Sequence, residues 1–125
     1  MAITKKILIV EDVPYLAESL KDLMDFKGYE TFVSNSGLDG LAIALEKHPD
    51  LILLDIRLPD IDGFEVLRRI RHDAWGQKAR ILLLTAADVS EELPNDIDID
   101  ENDILHKSHW GVENLAARVE GELLD

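Results

Sequence analysis

Polar residues that could do chemistry close most of the short apolar runs of this chain. Glu11 and Asp12 follow Ile7 to Val10, Asp55 follows Leu51 to Leu54, Thr85 and Ala86 follow Ile81 to Leu84, and Lys107 follows Ile104 and Leu105. Taken singly, each has an ordinary reading: a helix cap, a β-favouring hydroxyl, a solvated ammonium. Taken together they matter if the runs are neighbouring parallel strands, because ligands of such sheets bind outside the carboxyl ends of the strands. Three carboxylates gathered there repel one another, and either their pKa values rise or a cation is held between them. Oxygen ligands without any cysteine point to Mg²⁺ or Mn²⁺, and magnesium characteristically combines one or two carboxylates with water and phosphate oxygens. A site of this composition handles phosphate.

The elements that must position these residues follow from hydrophobic periodicity. The apolar runs are continuous rather than alternating, as expected for strands covered on both faces. A further strand is expected at Tyr29 to Ser34, after Gly28. Between the runs lie helical repeats: Leu16, Leu20, Leu23 and Met24; Leu38, Leu41, Ala42 and Leu45; Phe64, Leu67 and Ile70; Val112, Leu115, Ala116 and Val119. Strand and helix alternate, which implies βαβ units and a parallel sheet between helices. One interval resists. From Asp88 to Asp103 half the residues are acidic and none is basic, Pro94 would interrupt a helix, and Asp96 to Asp100 alternates acid with Ile. A short helix or none is expected there, followed by an irregular acidic segment.

Composition narrows the function. The 125 residues suit one domain, with 46% apolar residues to form a core. A formal net charge of −13 disfavours direct nucleic-acid binding, which rests on clustered Lys and Arg. The lack of cysteine removes disulfides and thiolate chemistry. No apolar run approaches the length of a membrane span, and the first residues lead straight into the first strand without a secretory segment, so no membrane insertion and a cytoplasmic location are expected.

Several phosphate chemistries are disfavoured by what is missing. There is no G-x-x-x-x-G-K-[ST] loop, and the first turn reads Glu11-Asp12-Val13-Pro14 where a dinucleotide fold carries G-x-G-x-x-G. A haloacid-dehalogenase-type phosphatase needs a second acid two residues after its nucleophile, where Arg57 stands. The Asp96-x-Asp98-x-Asp100 triplet lacks the Gly and the final Glu of a calcium loop, Glu101 and Lys107 occupying those places.

The residues resemble the receiver domain of two-component response regulators across essentially the whole chain. The most specific stretch runs from Asp55 through Arg57, Pro59 and Gly63 to Leu67. The resemblance implies an α/β, flavodoxin-like, doubly wound five-stranded parallel sheet of order 2-1-3-4-5 with helices on both faces, the fourth helix short or absent. It implies that Asp55 is the phosphoacceptor, and that Mg²⁺ or Mn²⁺ is held by Glu11, Asp12, Asp55 and the backbone carbonyl of Arg57. Thr85 resembles the switch hydroxyl, Lys107 the phosphate-pairing ammonium, and Ala86 leaves room for the phosphoryl group. Implied partners are a sensor histidine kinase or histidine phosphotransfer protein and a downstream protein target. The protein is then no conventional enzyme, although autodephosphorylation is expected.

Two departures fall on the transmission face. Ile104 stands at the switch position where the family usually has Tyr or Phe, and Ser108 follows Lys107 where Pro is usual. His109 and Trp110 are the substitute contacts available, Trp110 having an ordinary reading in packing. Nothing follows the last helical repeat, so residues 1–125 are expected to form a single receiver domain without an output domain. Two alternatives stay open: a phosphorylation-independent receiver-like interaction module and a small metal-dependent phosphatase.

Overall fold

The computed structural model describes residues 4–86 and 93–124. Five strands pair in parallel in the order β2-β1-β3-β4-β5: β1 (Lys6–Val10), β2 (Glu30–Ser34), β3 (Leu51–Asp55), β4 (Ile81–Thr85) and β5 (Ile104–His106). Four α-helices are described, α1 (Pro14–Phe26), α2 (Gly37–Lys47), α3 (Gly63–His72) and α4 (Val112–Leu123). Every residue of β3 and β4 is buried, which explains why their sequences run apolar without alternation.

Alternate residues of the strands serve two separate cores. Leu8, Val10, Ile52, Leu54, Ile81 and Leu83 pack with Ala44 of α2 and with Phe64, Val66, Leu67 and Ile70 of α3. Ile7, Ile9, Leu51, Leu53, Leu82 and Leu84 pack with Leu20 and Met24 of α1 and with Leu115, Ala116 and Val119 of α4. Each of these larger apolar side chains, the alanines apart, contributes about 1.5–3 kcal/mol by leaving water.

The helical repeats of α1, α3 and α4 face the cores as expected, whereas of the α2 repeat only Leu41 packs against a core. Leu38 and Leu45 are 50% and 38% exposed and Ala42 is exposed as well, whereas Gly37, Gly40 and Ala44 are buried. The helix lies too close to the sheet for large side chains: a Cβ on Gly40 would stand 2.7 Å from Cγ2 of Val10. Counting leucines therefore selected a stripe of which only Leu41 turns inward.

Between β4 and β5, residues 87–92 lie outside the described residues, so the short helix expected near Asp88 is not addressed for them. Among the described residues from Leu93 to Asp103 there is no α-helix, only a turn near Asp96 and a short 3₁₀ turn, Glu101–Asp103. The alternation of acid with Ile forms no strand, yet Ile97 and Ile99 are half-buried against the α2–α3 core while Asp96, Asp98 and Asp100 are exposed. Ion pairs hold this connection at both ends. Arg68 of α3 donates from Nε to Asp96 Oδ2 at 2.6 Å and from Nη2 to Oδ1 at 3.1 Å. Arg80 donates from Nη1 and Nη2 to the two Asp103 oxygens at 3.0 and 2.9 Å, and from Nε and Nη2 to Glu122 of α4.

Candidate functional site

The acidic residues meet because their strands end together. Glu11 extends β1, its amide donating to the Ser34 carbonyl at 2.9 Å. Asp55 is the last residue of β3, and the Ile56 amide that follows donates to the Leu84 carbonyl of β4 at 3.0 Å. Lys107 follows β5, its amide donating to the Thr85 carbonyl at 2.7 Å. Glu11, Asp55 and Thr85 are buried, Asp12 is exposed, and Lys107 is half-buried.

Carboxylate oxygens of Glu11, Asp12 and Asp55 lie within 4.8 Å of one another. Lys107 Nζ bridges two of them, 2.5 Å from Glu11 Oε1 and 3.2 Å from Asp55 Oδ2. This buried Glu11 oxygen thus meets the Lys107 ammonium in a close ion pair. Its companion Oε2 accepts from the Val13 amide at 3.3 Å. Burial raises the Glu11 pKa, the adjacent Asp55 raises it further, and Lys107 offsets only part of this, leaving it pushed up to about 7. Burial opposes the charge on Lys107, but Glu11 and Asp55 outweigh it and hold that ammonium's pKa above its ordinary value.

Three carboxylates against one ammonium leave a formal charge of −2 when all are ionised. A divalent hard cation neutralises that sum, and the all-oxygen donor set fits magnesium. The loop after Asp55 is folded tightly around the cluster. The Arg57 amide donates to Asp55 Oδ1 at 3.1 Å, and the Gly63 amide donates to the Ile56 carbonyl at 2.8 Å. Any side chain at Gly63 would collide with the Asp55 carbonyl, its Cβ falling 2.4 Å away. Asp62 caps α3, accepting from the Glu65 amide at 2.9 Å.

The family model of the response regulator receiver domain matches residues 7–120. The chain belongs to this family. This receiver domain is 41% identical over 83 residues to the polar-differentiation response regulator DivK of Brucella ovis, covering 66% of this chain and 68% of that one. It is 34% identical over 114 residues to the DNA-binding dual master transcriptional regulator RpaA of Synechocystis, covering 91% of this chain and 47% of RpaA. A solved structure described as a response regulator of Chloroflexus aurantiacus superposes with a TM-score of 0.77 at 30% identity, covering 97% of this chain and 98% of that one. Chemotaxis response regulator CheY4 of Vibrio cholerae gives 0.80 at 22% identity over 97% and 100% of the two chains, a likeness of fold alone.

The other expected positions of this receiver domain are distributed as follows. Ala86 is exposed and follows the buried Thr85 at the end of β4. Ile104 opens β5 and is half-buried against the α2–α3 core. Trp110 is half-buried against the α1–α4 core, in keeping with packing, while His109 is exposed. No described helix is long and apolar enough to cross a membrane. Sequence reasoning missed Asp60, whose carboxylate accepts from the amides of Gly37 and Leu38 at 2.7 and 2.8 Å. Its position inside the Asp55 to Gly63 stretch was visible, but its partners more than twenty residues earlier carried no local signal.

Proposed function

We propose that this receiver domain accepts a phosphoryl group on Asp55 from a histidine kinase or histidine phosphotransfer protein in the cytoplasm. It then signals by phosphorylation-dependent protein binding or onward phosphotransfer. The supporting observation is the convergence of three carboxylates around Asp55 with Lys107 bridging Glu11 and Asp55. In the transfer, an Asp55 oxygen bonds to phosphorus as the phosphorus–nitrogen bond of the phosphohistidine breaks and its imidazole leaves. Glu11, Asp12, Asp55 and the Arg57 carbonyl are the residues to hold Mg²⁺, which when bound neutralises charge on the phosphoryl oxygens. Lys107 supplies a second cation at the same oxygens by releasing its contact with the acceptor. Thr85 donates its hydroxyl to the acyl phosphate, whose added charge of nearly two and three acceptors favour one arrangement of Thr85 and Lys107. The same pocket then exposes the acyl phosphate to water for autodephosphorylation.

Half-buried Ile104 and the non-helical Leu93 to Asp103 connection favour a second reading for the output, docking that does not depend on phosphorylation. Beryllofluoride with Mg²⁺ separates the two. The expected result is a saturable change in tryptophan fluorescence and in the amide spectra of β4 and β5, abolished by Asp55→Asn. A spectrum that stays unaltered around β4 and β5 while binding saturates would favour constitutive docking. Label from acetyl phosphate is expected on the wild-type chain and absent from Asp55→Asn.

A further inference from the structure

The acceptor loop is held from a direction that the family motif does not include. Asp60 lies midway between Arg57 and Gly63, and its carboxylate spans the first two amides of α2, Oδ1 to Gly37 and Oδ2 to Leu38. These are amides that no residue of the helix can satisfy. The third goes to the helix's own cap, Ser36 Oγ, at 3.1 Å from the Asp39 amide. The α2 N-terminus thus has two independent capping residues, one local and one from the acceptor loop.

The approach is built for this contact. A Cβ on Gly37 would stand 2.7 Å from Cγ1 of Ile61 and 2.8 Å from its carbonyl oxygen, so the loop and the helix start are closer than any larger residue permits. The Asp60 pKa lies below the usual carboxylate range, held there first by the Leu38 amide, with burial opposing and the Gly37 amide adding to the effect. The carboxylate is therefore the form that docks. The other restraints on the loop, Arg57 to Asp55 and Gly63 to Ile56, act within the β3–α3 connection itself. The Ile56 amide ties the start of the loop to Leu84 of β4, and Asp60 ties its middle to α2.

We propose that Asp60 is a positioning residue for the metal and phosphoryl site: by docking on the α2 N-terminus it sets where the Arg57 backbone stands relative to Asp55. The inference rests on the reading of the acidic cluster as a magnesium site. Outer partners that orient ligands typically change metal affinity 10–100-fold when removed, and the low end, about tenfold, is expected for a tether acting through backbone.

The test compares two losses at the same helix end. Asp60→Ala removes the loop's cap, whereas Ser36→Ala removes the local cap and leaves the loop untouched. Magnesium chloride is titrated into each full-length chain by calorimetry, alongside thermal unfolding and amide hydrogen exchange. Both variants are expected to lower Tm by similar amounts. Only Asp60→Ala should weaken Mg²⁺ binding about tenfold, and it should speed exchange of the Gly37 and Leu38 amides even without magnesium. Asp60→Asn, which keeps one acceptor, should fall between and carries the test if the alanine variant does not fold. An Mg²⁺ affinity unchanged in Asp60→Ala, or weakened equally in Ser36→Ala, overturns the proposal. If wild type binds no Mg²⁺, or Asp12→Ala binds it equally well, the magnesium site itself has failed and the positioning role falls with it.

Discussion

The acidic pocket and the β4–β5 connection are built by opposite means. The pocket's residues hang from strand ends whose neighbours are wholly buried, so Glu11, Asp55 and Thr85 are placed by the same packing that forms the sheet. The connection from Leu93 to Asp103 has three half-buried apolar residues, Leu93, Ile97 and Ile99, and is otherwise secured by arginine forks to Asp96 and Asp103. The charge cluster thus sits on the most buried part of the molecule, and the acidic connection beside it is fastened largely by polar contacts. The difference teaches that neighbouring surfaces of one receiver domain can be secured by burial in one place and by ion pairs in the next.

The largest effect that probes this contrast is a paired truncation on one face. Ile70→Ala, at a site with no exposure, should cost about 2–5 kcal/mol in urea unfolding. Ile97→Ala should cost about 1 kcal/mol, because that side chain already keeps part of its surface in water. Equal losses would show that the connection is as much core as α3 is.

An intermediate effect lies in the pH dependence of the pocket. Folding raises the Glu11 pKa from its ordinary 4.5 to about 7, so between these values the folded chain holds a proton that the unfolded chain has released. Stability without metal should therefore be greatest at the lower end and fall as pH rises through this window. Glu11→Gln should remove the trend, and Mg²⁺ should stabilise more strongly at pH 8 than at pH 5. The forks behave in the opposite sense. Arg80 lowers the pKa of Asp103 and Glu122, so their contribution persists above the ordinary carboxylate range and is lost only as pH falls below it. A metal-free Tm that is flat from pH 5 to 7.5 would contradict the Glu11 assignment.

The smallest effect belongs to Arg68→Ala. Asp96 is 60% exposed, so the fork is a surface pair and its loss should cost at most about 1 kcal/mol. Exchange of the Ile97 amide, which donates to the Pro94 carbonyl at 3.2 Å, should nevertheless quicken, with Mg²⁺ affinity unaltered. A drop in Mg²⁺ affinity would couple the connection to the loop after Asp55, whose Arg57 lines a cavity together with Arg68 and Pro94.

The same contrast explains what could be read beforehand. Strand ends announce themselves through apolar runs such as Leu51 to Leu54, and parallel topology then brings Glu11, Asp12, Asp55, Thr85 and Lys107 to one edge. Contacts between distant segments leave no period. The docking of Asp60 on α2 and the fork of Arg68 on Asp96 each join residues more than twenty positions apart. The α2 stripe failed for a different reason: close approach to Val10 selects glycine and alanine, which hydrophobic counting passes over in favour of Leu38 and Leu45. In the acidic interval, the alternation of Asp with Ile did report which residues turn inward, but it could not say that no partner strand would be there.

The division of β3 between two cores carries a consequence for the accuracy of the acceptor. Leu51 and Leu53 fill one layer while Ile52 and Leu54 fill the other, and Asp55 ends the strand in step with them. Sliding this strand by a single residue would exchange the layers and swing the acceptor away from its neighbours at once. Oily side chains buried away from the pocket thus serve as the alignment gauge of the carboxylate proposed to react, and intermediate misplacements have nowhere to settle.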